Sequence, residues 1–104
     1  MSEINFNNFD KVCNICKKLA QEKNILYGTK NLTIFKGLGI IVRINDKVAR
    51  LNNLIKLNNL NKINNLNETI NDTILDLINY GIYFYLYTNK LLLKNNKLNE
   101  IKKK

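Results

Sequence analysis

Histidine, proline and tryptophan are absent from the 104-residue chain, and arginine and cysteine occur only twice each. Without histidine there is no imidazole base, no histidine metal ligand and no Ser-His-Asp triad. The cysteines, Cys13 and Cys16, are too few for a disulfide scaffold or for a four-ligand zinc site built by one chain. Their spacing is that of a redox motif, but the context is helical and not a βαβ unit. Phe6, Phe9, Cys13, Cys16 and Ala20 recur at spacings of 3, 4, 3 and 4. Both thiols are therefore expected on a core face, as small buried hydrophobes.

Long apolar runs are also missing. The longest candidate, Ile74 to Leu93, is interrupted by Asp76, Asn79, Asn89 and Lys90, which argues against a membrane span. The start, Met1-Ser2-Glu3-Ile4-Asn5, lacks the basic beginning and apolar core of a secretory signal. The reading is a cytoplasmic protein of one domain over residues 1–104, the host cytosol if phage-encoded.

What is present is ordinary globular composition, 45% hydrophobic and 24% charged, with 17 Lys+Arg against 8 Asp+Glu and a net charge of +9. That excess suits a phosphate-bearing partner without identifying one. Asn occurs 21 times and Lys 15 times, the signature of an AT-rich coding background. Many lysines then read as filler on solvated faces, and the two arginines stand out. In Asn52 to Asn67 the apolar residues Leu54, Leu57, Leu60, Ile63 and Leu66 lie three apart. That spacing drifts around an α-helix, so 52–67 is read as a helix end and connector without function.

Periodicity predicts an all-α fold, a small bundle of three long helices and a short C-terminal one, since no segment alternates with a period of two. The first helix is expected over 4–24, followed by a loop from Asn24 to Gly39 that holds three of the four glycines. The second is expected over 39–57, with Ile41, Ile44, Val48, Leu51 and Ile55 as its buried stripe. The third runs from Glu68, capped by Asn67, to Thr88, with Ile70, Ile74, Leu77 and Phe84 facing the core. A basic helix over 90–101 and a frayed tail at 102–104 end the chain. Gly81 inside the third helix costs about 1 kcal/mol relative to Ala, unless another backbone packs closely there.

The polar faces carry the functional signal. Glu68, Asp72 and Asp76 fall on one narrow stripe of the third helix, followed by Asn79 and Tyr83. On the second helix, Arg43, Asp46, Lys47 and Arg50 share a face, and both arginines of the chain are there. Arg suits planar, bidentate contact with carboxylate or phosphate. Three readings stand open. Arg43 and Arg50 could clamp Asp72 and Asp76 in an interhelical salt-bridge network. Glu68, Asp72, Asp76 and Asp46 could hold Mg²⁺ while Lys23, Arg43, Lys47 and Arg50 neutralise phosphates. Or the faces are simply solvated. Near the loop, Tyr27-Gly28 beside Lys23 and Lys30 could stack a base, and Asn79 could hydrogen-bond a base or sugar.

Three blocks carry a family resemblance: Lys23-Asn24-x-x-Tyr27-Gly28, then Arg43-Ile44-x-Asp46-Lys47-x-x-Arg50-Leu51-x-x-Leu54, then Glu68-x-x-x-Asp72-Thr73-x-x-Asp76-Leu77-x-Asn79-Tyr80. Together they resemble the nucleotide modification associated domain type 1 family of phage and prophage proteins, itself distantly similar to the MazG-like all-α nucleotide pyrophosphohydrolases. Two departures stand out: Ile25-Leu26 replaces the family's Ala-Asp, and E-x3-D-x3-D replaces the MazG-like ExxD. The resemblance implies a homo-oligomeric helical bundle that handles a phosphorylated nucleotide. Three functions follow: a Mg²⁺-dependent pyrophosphohydrolase, a non-catalytic sponge for a nucleotide immune signal, or a nucleic-acid-binding module. Dispersed lysines and the lack of a DNA-reading motif count against the third.

Overall fold

The computed structural model describes residues 2–59 and 66–94. Among them every regular element is helical: α1 (Phe6–Tyr27), the short α2 (Lys30–Thr33), α3 (Leu38–Asn59) and α4 (Leu66–Thr88), with a single turn at Ile34–Gly37 between α2 and α3. No helix among the described residues is long and apolar enough to cross a membrane.

Local chemistry sets the ends. Asn5 caps α1, its Oδ1 accepting from the Asn8 N–H at 3.1 Å. The helix outruns its expected end at residue 24 and stops where Gly28 turns to φ 71° and donates its N–H to the Asn24 carbonyl. The expected loop over 24–39 is therefore mostly helical. After α2 the chain reverses through left-handed backbone at Phe35 (φ 53°) and Lys36 (φ 55°), then Gly37 (φ 82°). Left-handed backbone costs about 1–2 kcal/mol at a residue with a Cβ. Gly37 has a second reason to lack one, because a Cβ there would stand 2.5 Å from the Tyr87 ring.

α4 begins two residues earlier than expected, so Asn67 lies inside its first turn and is not its cap. At the other end Lys90 adopts φ 59°. Its N–H donates to the Tyr87 carbonyl and that of Leu91 to the Leu86 carbonyl. This is the paired closure that terminates helices, made here with Lys where Gly is usual. The expected helix over 90–101 therefore does not start at Lys90, and residues 90–94 are not helical. Positions 95–101 and the tail at 102–104 lie outside the described residues. Of the expected connector over 52–67, α3 takes 52–59 and α4 takes 66–67; positions 60–65 lie outside the described residues.

α3 and α4 make the principal contact. Lys47 of α3 meets Asp76, and Gly37, just before α3, lies against Tyr87, pairs progressively farther from the 60–65 connection, so α3 and α4 run antiparallel. α3 packs with Ile40, Ile44, Lys47, Leu51 and Leu54, spaced 4, 3, 4 and 3; Ile40 is fully buried. The expected stripe was rotated from this one. Ile44 and Leu51 belong to both, Ile41 is half-buried at the margin, and Val48 and Ile55 are exposed. α4 packs with Leu66, Thr69, Thr73, Asp76, Tyr80, Tyr83 and Tyr87, again at alternating spacings of 3 and 4. Its expected core face is largely marginal: Ile70, Leu77 and Phe84 are half-buried and Ile74 is exposed. Buried Thr73 is satisfied by donating to the Thr69 carbonyl.

α1 crosses α4. Lys23 meets Asp76 and Cys16 meets Asn79, so seven residues of α1 advance against three of α4, about 10 Å against about 5 Å. The crossing covers only the second half of α1. Cys16 is 1% exposed, whereas Phe6 is 64% and Phe9 58% exposed, and Cys13 is exposed as well. The expectation that both thiols are buried thus holds for Cys16 alone. Burial, then the proximity of Cys13, pushes the Cys16 thiol above its ordinary value.

Candidate functional site

Three of the core-stripe positions are charged. Lys23 on α1, Lys47 on α3 and Asp76 on α4 stand where the periodicity of each helix would place apolar residues, and they meet in one polar layer. Asp76 Oδ1 accepts from Lys23 Nζ at 2.5 Å, and Oδ2 lies 3.1 Å from Lys47 Nζ. The Asp76 side chain is 15% exposed. Burial pushes its carboxyl upward, but the hydrogen bonds and positive charge of Lys23 and Lys47 outweigh this and hold it below the ordinary carboxylate range. Two cations share one carboxylate, so the layer carries an uncompensated positive charge.

That layer opens into a cleft of about 340 Å³ between the end of α1, α2, α3 and α4. Of the expected phosphate-binding residues, Lys23, Arg43 and Lys47 line it, and Arg50 does not. Arg50 lies seven residues beyond Arg43, about 10 Å farther along α3 toward the connection, and is exposed. Arg43 itself makes a long 4.0 Å contact with Asp46, both side chains being more than half exposed. The expected clamp of Arg43 and Arg50 on Asp72 and Asp76 is not formed; lysines hold Asp76 instead.

Of the four carboxylates expected to share a metal, only Asp46 and Asp76 line the cleft. Glu68 and Asp72 are exposed, toward the N-terminal end of α4. Among the described residues no three His, Cys, Asp or Glu side chains come together as a metal-binding group. Among the described residues the cleft thus offers two carboxylates, and one of them, Asp76, is engaged by two ammonium groups.

Tyr27 lines the cleft as expected, joined by Tyr80 and Tyr83, whose rings meet edge to face with centroids 6.0 Å apart. Burial, then Tyr80, raises the Tyr83 phenol above its ordinary value, with Lys23 opposing and Asp76 adding to the rise. Asn79 also reaches the cleft, but its side-chain amide donates to the Cys16 carbonyl at 3.0 Å and straps α4 to α1. Sequence reasoning missed Asn31. The residue lines the cleft, and its Oδ1 is buried without a hydrogen-bond partner among the described residues. Nothing in the pattern could single it out among 21 asparagines.

Compared with protein-family models, curated proteins and solved structures, the chain matches none.

Proposed function

We propose that the cleft binds a phosphorylated nucleotide and holds it without turning it over. The single observation that carries this reading is the polar layer, in which two partly buried lysines share one carboxylate and open into a concave site beside Arg43. Each ammonium has three donors, and the contact with Asp76 leaves others free for phosphate oxygens while fixing where the nitrogen sits. Arg43, held only by a long exposed contact, is available for a bidentate phosphate contact. Tyr27 offers a stacking surface. A volume of about 340 Å³ lies within the range of small-molecule sites.

Residues from all three blocks that resemble the nucleotide modification associated domain type 1 family line the same cleft, which supports a nucleotide over an arbitrary anion. A protein that binds without turnover acts as a sponge, and sequestration of a nucleotide immune signal is the role this reading supports in a phage setting. Cations gathered in a cleft favour a small ligand over a nucleic-acid backbone, which calls for a long charged stripe.

The test is calorimetric titration of the full chain with a panel of nucleoside mono-, di- and triphosphates and cyclic nucleotides, followed by chromatography with and without Mg²⁺. Binding of at least one nucleotide, recovered intact after the protein is heated, is the expected result. Failure of the whole panel to bind removes the proposal. Conversion to a product restores the pyrophosphohydrolase.

A further inference from the structure

We infer that Cys13 and Cys16 form a peroxide-sensitive pair whose oxidation to a disulfide unfastens α1 from α4. The two thiols stand one turn apart on α1, and the fold treats them differently. Cys13 is exposed, whereas Cys16 is buried against α4. An exposed thiol is open to a small oxidant, and a second one three residues away is placed to resolve what the oxidant leaves. Burial and the nearness of Cys13 both raise the Cys16 thiol above its ordinary value. Cys16 therefore stays protonated and sheltered while Cys13 reacts first.

The oxidation balances in two steps. Cys13 Sγ attacks one oxygen of hydrogen peroxide: an S–O bond forms, the O–O bond breaks, and the second oxygen leaves as water with the thiol proton. Cys16 Sγ then attacks Cys13 Sγ: the S–S bond forms, the S–O bond breaks, and the hydroxyl leaves as a second water with the Cys16 proton. The two thiols lose two electrons and the peroxide gains them.

Helix geometry carries the consequence. Side chains three apart on a helix hold their Cβ atoms about 5–6 Å apart, whereas a disulfide requires about 3.5–4.5 Å. The turn at 13–16, well inside α1, must therefore distort to close the bond. The carbonyl of Cys16 is the acceptor for the Asn79 side-chain amide at 3.0 Å, across 63 positions of sequence. Moving that carbonyl breaks the strap and leaves a buried amide without its acceptor, which the fold resists by releasing α1. Beyond this turn α1 carries Ala20, Lys23 and Tyr27 into the cleft wall. The switch concerns how α1 is held, so it does not rest on the nucleotide reading.

The test treats the reduced full chain with hydrogen peroxide and follows tryptic mass mapping and amide exchange, beside Cys13→Ser and Cys16→Ala. Both cysteines fall in one tryptic peptide, Val12-Cys13-Asn14-Ile15-Cys16-Lys17, so the disulfide reads as the loss of two hydrogens within it. Exchange over 17–27 should then rise about tenfold or more, with much less change in α3 and α4, and dithiothreitol should reverse both effects. Cys13→Ser should show neither effect, and Cys16→Ala should stop at a sulfenic acid that dimedone traps. Three outcomes overturn the inference: Cys13 carried on to sulfinic acid beside an intact Cys16 thiol, a bridge between two chains, or a disulfide without faster exchange over 17–27. Should Cys16→Ala fail to fold, the mass and exchange of the wild type decide by the same criteria.

Discussion

Lys23 and Asp76 meet at 2.5 Å although 53 positions separate them in the chain. The contact joins α1 to α4 in the layer where Lys47 reaches the same carboxylate from α3. One side chain thus ties three helices together and presents two oriented ammonium groups to the cleft.

Asp76→Asn should lower stability by about 1–2 kcal/mol, less than for a fully buried pair because both lysines can turn toward water. The native carboxyl has a depressed pKa, so its contribution is fully present above the unfolded value near 3.9 and is lost as pH falls through the native one. Urea midpoints measured from neutral to strongly acid pH should therefore converge for wild type and Asp76→Asn at the acid end. Parallel curves would show that the carboxylate contributes nothing through its charge.

Arg43→Ala should weaken nucleotide binding about tenfold and leave the unfolding free energy from urea titration within about 0.5 kcal/mol, since its contact with Asp46 is long and exposed. Arg50→Ala removes the same charge outside the cleft and should leave affinity nearly unchanged at moderate salt. Equal losses in both variants, by calorimetry, would mean that net charge and not cleft geometry sets affinity.

Asn79→Ala removes the donor to the Cys16 carbonyl, at a cost of about 1–2 kcal/mol. Because that bond holds α1 against α4, amide exchange should rise first in α1 and less in the α3–α4 pair. Uniform acceleration over all three helices would place the strap's effect elsewhere.

Gly37→Ala should destabilise by about 1–3 kcal/mol, from a Cβ on left-handed backbone pressed against the Tyr87 ring. Gly81→Ala meets no atom of the described residues within 4 Å and should not be destabilising. Thermal unfolding of the two variants side by side distinguishes the positions.

The three long helices were legible to within a few residues because 3.6-residue periodicity is a local property, although the one cap read from the sequence, Asn67, lies inside α4. The end of α4 at Thr88 was legible, but the non-helical backbone over 90–94 was not, because Lys90 makes a closure that sequence reasoning assigns to Gly. Helix rotation was not legible either. In a chain so rich in Asn, Ile and Leu, more than one stripe on each helix reads as apolar. The stripe through Ile41, Val48 and Ile55 looked as good as the one through Ile40, Lys47 and Leu54, which contains a lysine. Only the presence of Asp76 on the facing helix makes Lys47 tolerable there.

By itself the sequence determined the all-helical class, the three long helices, the positive charge and a shortlist of polar candidates. Tertiary structure alone decided which candidates meet. It brought Lys23, Arg43, Lys47 and Asp76 to one cleft with Asn31, and left Arg50, Glu68 and Asp72 in solvent. The reason is that periodicity specifies angles around a single axis, whereas convergence depends on the rotation and crossing of several axes. Those are set by burying area and pairing charge between helices far apart in the chain.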